Sequence, residues 1–255
     1  MTLLFVLGLF LAVVTAVRST WSPCGVSMLS VITPLQEQGR GNRFRATAIW
    51  FLLGATAGGA VLGGSMAILA EGWQRLGAGE EAALVITSLG AMLAVVSDGR
   101  LFGVQLPGHD RQVNERWLDQ YRSWVYGAGF GWQIGVGLAT YIMTAGLYLL
   151  IVVAAVGASP SGALIIGAVF GIVRGLAVFA AGDVTTLESL NDLHRRFERW
   201  RQPVRKLTID AIALVGMVAG LAVDSTLGVA LVVSLTLTAA AALRGERETS
   251  YVLAR

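Results

Sequence analysis

A Trp21-Ser22-Pro23-Cys24-Gly25 segment interrupts an apolar run that extends from Leu3 to Leu35, and it carries the single cysteine of the chain. As one helix this run would be about 50 Å long, well beyond a hydrocarbon core of about 30 Å. A broken helix resolves the excess. Pro23 has no N–H to donate and disfavours helix at the residue before it, so a second half-helix is predicted to begin here, with Ser22 as N-cap and Pro23 as first residue. Cys24 then stands at a helix N-terminus, where the dipole favours a thiolate.

The rest of the chain agrees with a membrane setting. Of 255 residues 55% are hydrophobic and 14% charged, with a mean hydropathy of +0.68. That leaves too little polar surface for a soluble domain of this size. The expected fold is all-α, a polytopic membrane helix bundle of about seven transmembrane helices. The spans are placed at Leu3 to Leu35, Arg45 to Ala70, Glu81 to Ser97, Trp124 to Val156, Ser161 to Ala181, Leu207 to Val223 and Leu227 to Leu243.

Basic residues give the orientation. No Lys or Arg precedes Leu3 and Arg18 follows the apolar stretch, which is the wrong polarity for a cleaved signal peptide, so the segment is expected to stay attached and to begin outside. Arg40 and Arg43 lie in the first connection, Arg100, Arg111, Arg116 and Arg122 in the third, and Arg195 to Lys206 in the fifth. Arg244, Arg247 and Arg255 lie in the tail, whereas the even-numbered connections hold only Arg75. Positive loops remain cytoplasmic, so the expectation is a multi-pass protein of a bacterial inner membrane with its N-terminus outside and its C-terminus in the cytoplasm. The pI of about 9.4 then follows from topology and an anionic inner leaflet, with no nucleic acid as partner.

Two halves of the sequence echo each other. Gly25, Val26 and Ile32 align with Gly135, Val136 and Ile142; Gly54, Gly58, Ala60 and Val61 with Gly171, Gly175, Ala177 and Val178; and Gly90, Asp98 and Leu101 with Gly216, Asp224 and Leu227. Three spans per half is an odd number, so the second copy is expected to be inverted, an arrangement that places broken helices at midplane. The resulting organisation is a first three-span repeat over 1–98 and a cytoplasmic amphipathic connection over 99–123. A second inverted repeat follows over 124–224, with a cytoplasmic helix at 184–202, and then a last span and tail over 225–255. In the fourth span Gly127, Gly131 and Gly135 share one helical face where backbones can approach closely, and a kink or break is expected near Gly131-Trp132-Gln133.

Ser22-Pro23-Cys24 in a broken first span resembles the Ser-Pro-Cys of the DsbD/CcdA family of transmembrane thiol-disulfide electron carriers (cytochrome c biogenesis). Phe130-Gly131-Trp132-Gln133-Ile134-Gly135 resembles that family's fourth span. The family belongs to a wider group that includes TauE/SafE-like and LysE-like exporters. The resemblance implies transfer of reducing equivalents or of a thiol species through Cys24, with a thioredoxin-like protein as partner. The chain departs from the pattern in two ways. The prolines that usually follow the first cysteine are absent from Gly25 to Leu29, and Ile134 stands where the second cysteine would be, so the intramembrane disulfide of that relay cannot form.

Other residues bear on the site. For Cys24 two readings stand open: a reactive thiol assisted by Arg18 one turn earlier, or a buried inert hydrophobe. Arg174 interrupts the fifth span between Gly171 and Gly175, where an ionisable residue marks a functional position by default and its charge can attract a small anion. Asp210 in the sixth span is its candidate counter-charge, with Asp98 and Asp224 read as solvated span ends. Val113, Trp117 and Tyr121 suggest one interfacial helix. Thr185 and Glu188 suggest a capping box for another that carries Leu187, Leu190 and Phe197 opposite the basic His194 to Arg201 face. His109 and His194 lack companions at ligand spacing, so no metal and no cofactor is expected.

These features describe a membrane carrier or transporter rather than a conventional enzyme. The leading expectation is thiol transfer through Cys24, with Arg18, Ser22, Pro23, Trp132, Gln133, Arg174 and Asp210 as pathway or support. A small-anion exporter and a non-catalytic scaffold subunit are the alternatives, and the lipid bilayer is a partner in each case.

Overall fold

The computed structural model describes residues 2–103, 117–223 and 226–253, and among them every regular element is a helix. In chain order these are α1 (Thr2–Ser19), α2 (Pro23–Val31), α3 (Pro34–Gly39), α4 (Phe44–Arg75), α5 (Glu80–Asp98) and a 3-10 turn at Leu101–Gly103. Then come α6 (Trp117–Gln120), α7 (Ser123–Val136), α8 (Gly146–Gly157), α9 (Pro160–Leu176) with a 3-10 extension at Ala177–Ala181, α10 (Leu187–Leu221) and α11 (Thr226–Leu253). Three of them open on the same device, a Ser or Thr N-cap followed by proline. Ser22 Oγ accepts from Gly25 N at 3.2 Å, Thr33 Oγ1 from Gln36 N at 3.1 Å and Ser159 Oγ from Gly162 N at 3.1 Å.

α4 occupies the middle of the bundle, with α7 on one side and α9 on the other. A Cβ added to Gly131 or Gly135 would lie 2.0 Å from the carbonyl oxygen of Phe51 or Ala55, so the face predicted from glycine spacing is in backbone contact with α4. On the other side Gly171 meets Ala55 and Gly167 meets Gly63. Residues 127 to 135 follow residues 47 to 55, so α7 runs parallel to α4, while Leu164 beside Gly63 and Gly171 beside Ala55 make α9 antiparallel to it. Around this centre α1 packs on α8 and α9 through Gly157 against Leu4 and Gly8 against Ile166, and α5 packs on α10 through Gly216 against Ala91.

α1, α4, α5 and the Pro160–Ala181 unit are long and apolar enough to cross a membrane, and Gly146–Gly157 and Thr226–Ala242 are shorter apolar helices. Apolar side chains such as Val6, Leu53, Ile68, Leu214 and Leu221 point outward and are exposed. The protein is a membrane protein whose outer surface is built for lipid.

Two expected elements differ. The helix expected over 184–202 is the first half of α10, continuous with the sixth span. Pro203 lies inside it, and the backbone acceptor it leaves open belongs to Arg199, an exposed position that water can reach. The fourth span passes straight through Gly131-Trp132-Gln133 as part of α7 and breaks later, at Gly137, whose φ of +72° ends the helix. The tight glycine seam with α4 holds 127–135 helical, which displaces the break to the first glycine beyond it.

Candidate functional site

The first break forms as its residues require. Thr20, Trp21 and Ser22 close a tight turn on the carbonyls of Val17, Arg18 and Ser19, at 3.0, 3.2 and 3.1 Å, and Ser22, in extended conformation, starts α2. Gly25 is the residue that lets α2 fold back so closely: a Cβ there would stand 2.3 Å from the Thr20 carbonyl oxygen.

α2 then presents two faces. Cys24, Gly25, Met28 and Leu29 are buried. Cys24 and Met28 join Phe51, Phe130, Ile134 and Val178 in one apolar cluster. Cys24 thus shares a cluster with Ile134, the position at which the resemblance calls for a second thiol. Arg174 lies against the same layer, 3% exposed, with its guanidinium carbon 5.9 Å from the Phe170 ring centre. Among the described residues Cys24 is the titratable group near enough to act on it electrostatically. Asp210, expected as its counter-charge, is exposed on α10 between buried Ile209 and Ile212. The helical register turns that carboxylate outward and away from the core.

The other face of α2 carries Pro23, Val26, Ser27 and Ser30, and it borders a cavity of about 680 Å³. Tyr141 and Met143 from the segment after α7 form a second wall, and His194, Phe197, Glu198 and Arg201 of α10 form the third. Trp21 closes one end: its indole N–H donates to the Phe197 carbonyl at 2.8 Å and its ring lies 5.0 Å from the Phe197 ring. At the other end Ser30 Oγ and His194 Nε2 are 2.7 Å apart. The amphipathic half of α10 is therefore docked across the broken first helix instead of resting only on lipid. Its start is capped by Thr186 and Ser189 reciprocally, one residue later than the Thr185 and Glu188 pair expected, because Thr186 is the extended residue that ends the preceding loop.

Asp98 is not a solvated span end. Its carboxylate accepts from the Thr144 hydroxyl and from Ala145 N at 2.7 Å, directly ahead of α8. The Arg205 guanidinium donates to the Asp98 carbonyl at 2.6 Å, and the charges of Arg18 and Arg205 both act on the Asp98 carboxylate. Arg18, expected to support Cys24, contributes here at the level of the breaks. Trp132 is exposed on α7 and Gln133 half-buried, so neither faces the cavity walls named above. Asp224, His109 and Val113 to Glu115 lie outside the described residues.

A second polar centre went unread in the sequence. Glu37 of α3 is fully buried and accepts from Thr47 Oγ1 at 2.5 Å, from the Tyr126 hydroxyl at 2.7 Å and from Arg40 Nη1 at 3.1 Å. Asn42 Nδ2 donates to the same Tyr126 oxygen at 3.2 Å. Thr33-Pro34, a copy of the Ser22-Pro23 pattern, was the signal that a new helix starts before Glu37. Among the described residues no three His, Cys, Asp or Glu side chains gather as a metal site.

No family model matches the chain, and no solved structure matches it. Curated relatives do. It is 32% identical over 181 residues to the methylamine utilization protein MauF of Methylobacillus flagellatus, covering 67% of this chain and 62% of the relative. It is 30% identical over 177 residues to the protein of that name from Paracoccus denitrificans, covering 66% and 60%, and 28% identical over 168 residues to that of Methylorubrum extorquens, covering 63% and 56%. The chain thus spans about three fifths of the length of these relatives. Their names correct the resemblance to DsbD/CcdA carriers and to TauE/SafE exporters, and with it the expectation of thiol transfer or solute export. The apolar Ile134 beside Cys24 is the physical counterpart of that correction.

Proposed function

We propose that the chain is a multi-pass membrane protein that serves methylamine utilisation in an auxiliary capacity, with the cavity between α2 and the amphipathic half of α10 as its working surface. The observation that carries the reading is the one name shared by relatives from separate genera, aligned over about two thirds of this chain. The geometry adds a surface suited to holding a partner. The cavity, at about 680 Å³, is far larger than a methylammonium ion needs, and it combines aromatic walls with the imidazole of His194 and the charged ends of Glu198 and Arg201. Deleting the gene should abolish or slow growth with methylamine as sole nitrogen source and leave growth on ammonium intact. Unchanged growth on methylamine would end this reading.

The proposal includes the seven crossings and the inversion of the two halves, with the N-terminus outside. Support comes from the three basic connections, which meet at one end: Leu35 N donates to the Val184 carbonyl at 3.0 Å, and Glu37 and Asn42 both bond Tyr126. The antiparallel packing of α4 on α9, the second spans of the two halves, is what an inverted pair would give. Reporter fusions at Gln38 and Asn191 should both score cytoplasmic. An external score at one of them would overturn the seven crossings, and external scores at both would reverse the orientation.

A further inference from the structure

Among the described residues Arg174 is a buried charge that the features above leave unexplained. Its Nη2 is enclosed by protein and makes no hydrogen bond. The guanidinium borders a small cavity, separate from the large one, with about 20 Å³ of room for a water-sized occupant. Thr20, Gly25, Met28, Phe51, Ile134 and Val178 are among its walls, and apart from Arg174 no wall residue ionises. A guanidinium does not give up its proton in a protein, and an isolated charge in an apolar interior is held only against a counter-charge. The face of Phe170 answers part of that charge. Gly25, in the first turn of α2, is also a wall residue; its N–H is taken by Ser22 Oγ at 3.2 Å, so what that turn offers a negative ligand is the positive end of the helix dipole.

We propose that this cavity holds one small monovalent anion of halide size, bound between the Arg174 guanidinium and the first turn of α2. Size sets the class, because room for a single water-sized species excludes phosphate, sulfate and carboxylates. A water molecule alone would satisfy the hydrogen bond and leave the charge. The anion is resident: it completes the junction of α2, α4, α7 and α9 and accounts for an arginine embedded among apolar side chains. This inference is independent of the methylamine reading.

The test is thermal unfolding of the purified chain in detergent, in sodium chloride, bromide or gluconate at constant ionic strength. Chloride and bromide should raise Tm with the logarithm of their concentration, and gluconate should not. Arg174→Met should remove the halide dependence, whereas Arg75→Met, at an exposed ion pair, and Cys24→Ser should retain it. Equilibrium dialysis of radioactive chloride against the unsubstituted protein should give one ion per chain, a reading that does not require any variant to fold. No bound chloride, or a halide-independent Tm in the unsubstituted protein, would overturn the proposal. So would a halide dependence that appears only in Cys24→Ser, which would assign the counter-charge in the unsubstituted protein to the Cys24 sulfur.

Discussion

Trp21 and Phe197 lie 176 residues apart and meet twice, through the indole N–H on the Phe197 carbonyl at 2.8 Å and through their rings at 5.0 Å. One residue belongs to the first helix break and the other to the amphipathic half of α10. The pair therefore ties the most constrained point of the first span to the most polar helix of the bundle, and the large cavity lies between them. Aromatic contact combined with a polar handle suits this junction, where one side is apolar and the other wet.

Substitution at Trp21 should separate the two contacts. Trp21→Phe keeps a ring and deletes the N–H, costing about 1 kcal/mol; Trp21→Ala removes the packing as well and should cost more. Hydrogen exchange is the discriminating readout. Amides of 187–202 should lose protection in Trp21→Ala, less so in Trp21→Phe, while those of α4 stay unchanged. Equal protection in all three proteins would mean that α10 is held elsewhere.

Glu37 and Tyr126 should behave as one unit. Tyr126→Phe removes a donor from a buried carboxylate, a loss of about 1.5 to 3 kcal/mol for a hydrogen bond to a charged group. Glu37→Gln also strands donors, because Arg40 and Thr47 share that carboxylate. The double variant should then be about 1 to 3 kcal/mol more stable than the sum of the single losses predicts. Unfolding in mixed micelles supplies the cycle, and a coupling near zero would show that the network contributes no cooperative stability.

What the sequence disclosed depended on whether the cause was local. Ser22-Pro23 specified its own helix start, since cap, missing N–H and restricted neighbour all act within four residues. The glycine face of α7 was legible for a similar reason, because spacing alone puts Gly127, Gly131 and Gly135 on one side. The second break was misplaced because glycine signals freedom without saying where it is used: the contact with Phe51 and Ala55 keeps Gly131 and Gly135 helical, and Gly137 bends. Partners were the least legible. Asp98 with Ala145, and Glu37 with Tyr126, come from separate spans, and no pattern along the chain records which carboxylate meets which donor.

The seam between α4 and α7 gives a test with its own control. Gly135→Ala would place a methyl 2.0 Å from the Ala55 carbonyl oxygen, a backbone atom that cannot move aside without shifting a helix, whereas nothing lies within 4 Å of a Cβ at Gly64. Overpacking of this kind costs about 1 to 3 kcal/mol. Gly64→Ala, in the same helix α4, should be neutral or stabilising by up to about 1 kcal/mol through helix propensity. Comparable stability of the two variants in detergent would show that α4 and α7 are not in backbone contact.

Asp98 anchors from α5 the residues that open α8. Ala145, at the N-cap of α8, has no side chain to accept from the exposed backbone donors; Thr144 Oγ1 accepts from Gly146 N at 3.0 Å, and the Asp98 carboxylate takes the Ala145 N–H and the Thr144 hydroxyl. Its negative charge also faces the positive end of the α8 dipole. Asp98→Asn retains one acceptor oxygen and loses the charge that Arg18 and Arg205 act on. Asp98→Ala loses both, and deletion of a cap costs about 0.5 to 2 kcal/mol before the effect of the stranded arginines is added. Stability should therefore fall in the order Asp, Asn, Ala. The local signature is hydrogen exchange at 146–149, the first turn of α8, which should accelerate in Asp98→Ala well before amides in the α4 seam respond. Thr144→Val, which removes the donor to Asp98 and the acceptor of Gly146 N but leaves the Ala145 N–H contact and the Asp98 charge in place, should also fall below the unsubstituted protein. If Asp98→Ala matched Asp98→Asn in stability and left that first turn protected, the α8 start would have to be held by its own backbone, and the link from α5 across the second break would carry no energy.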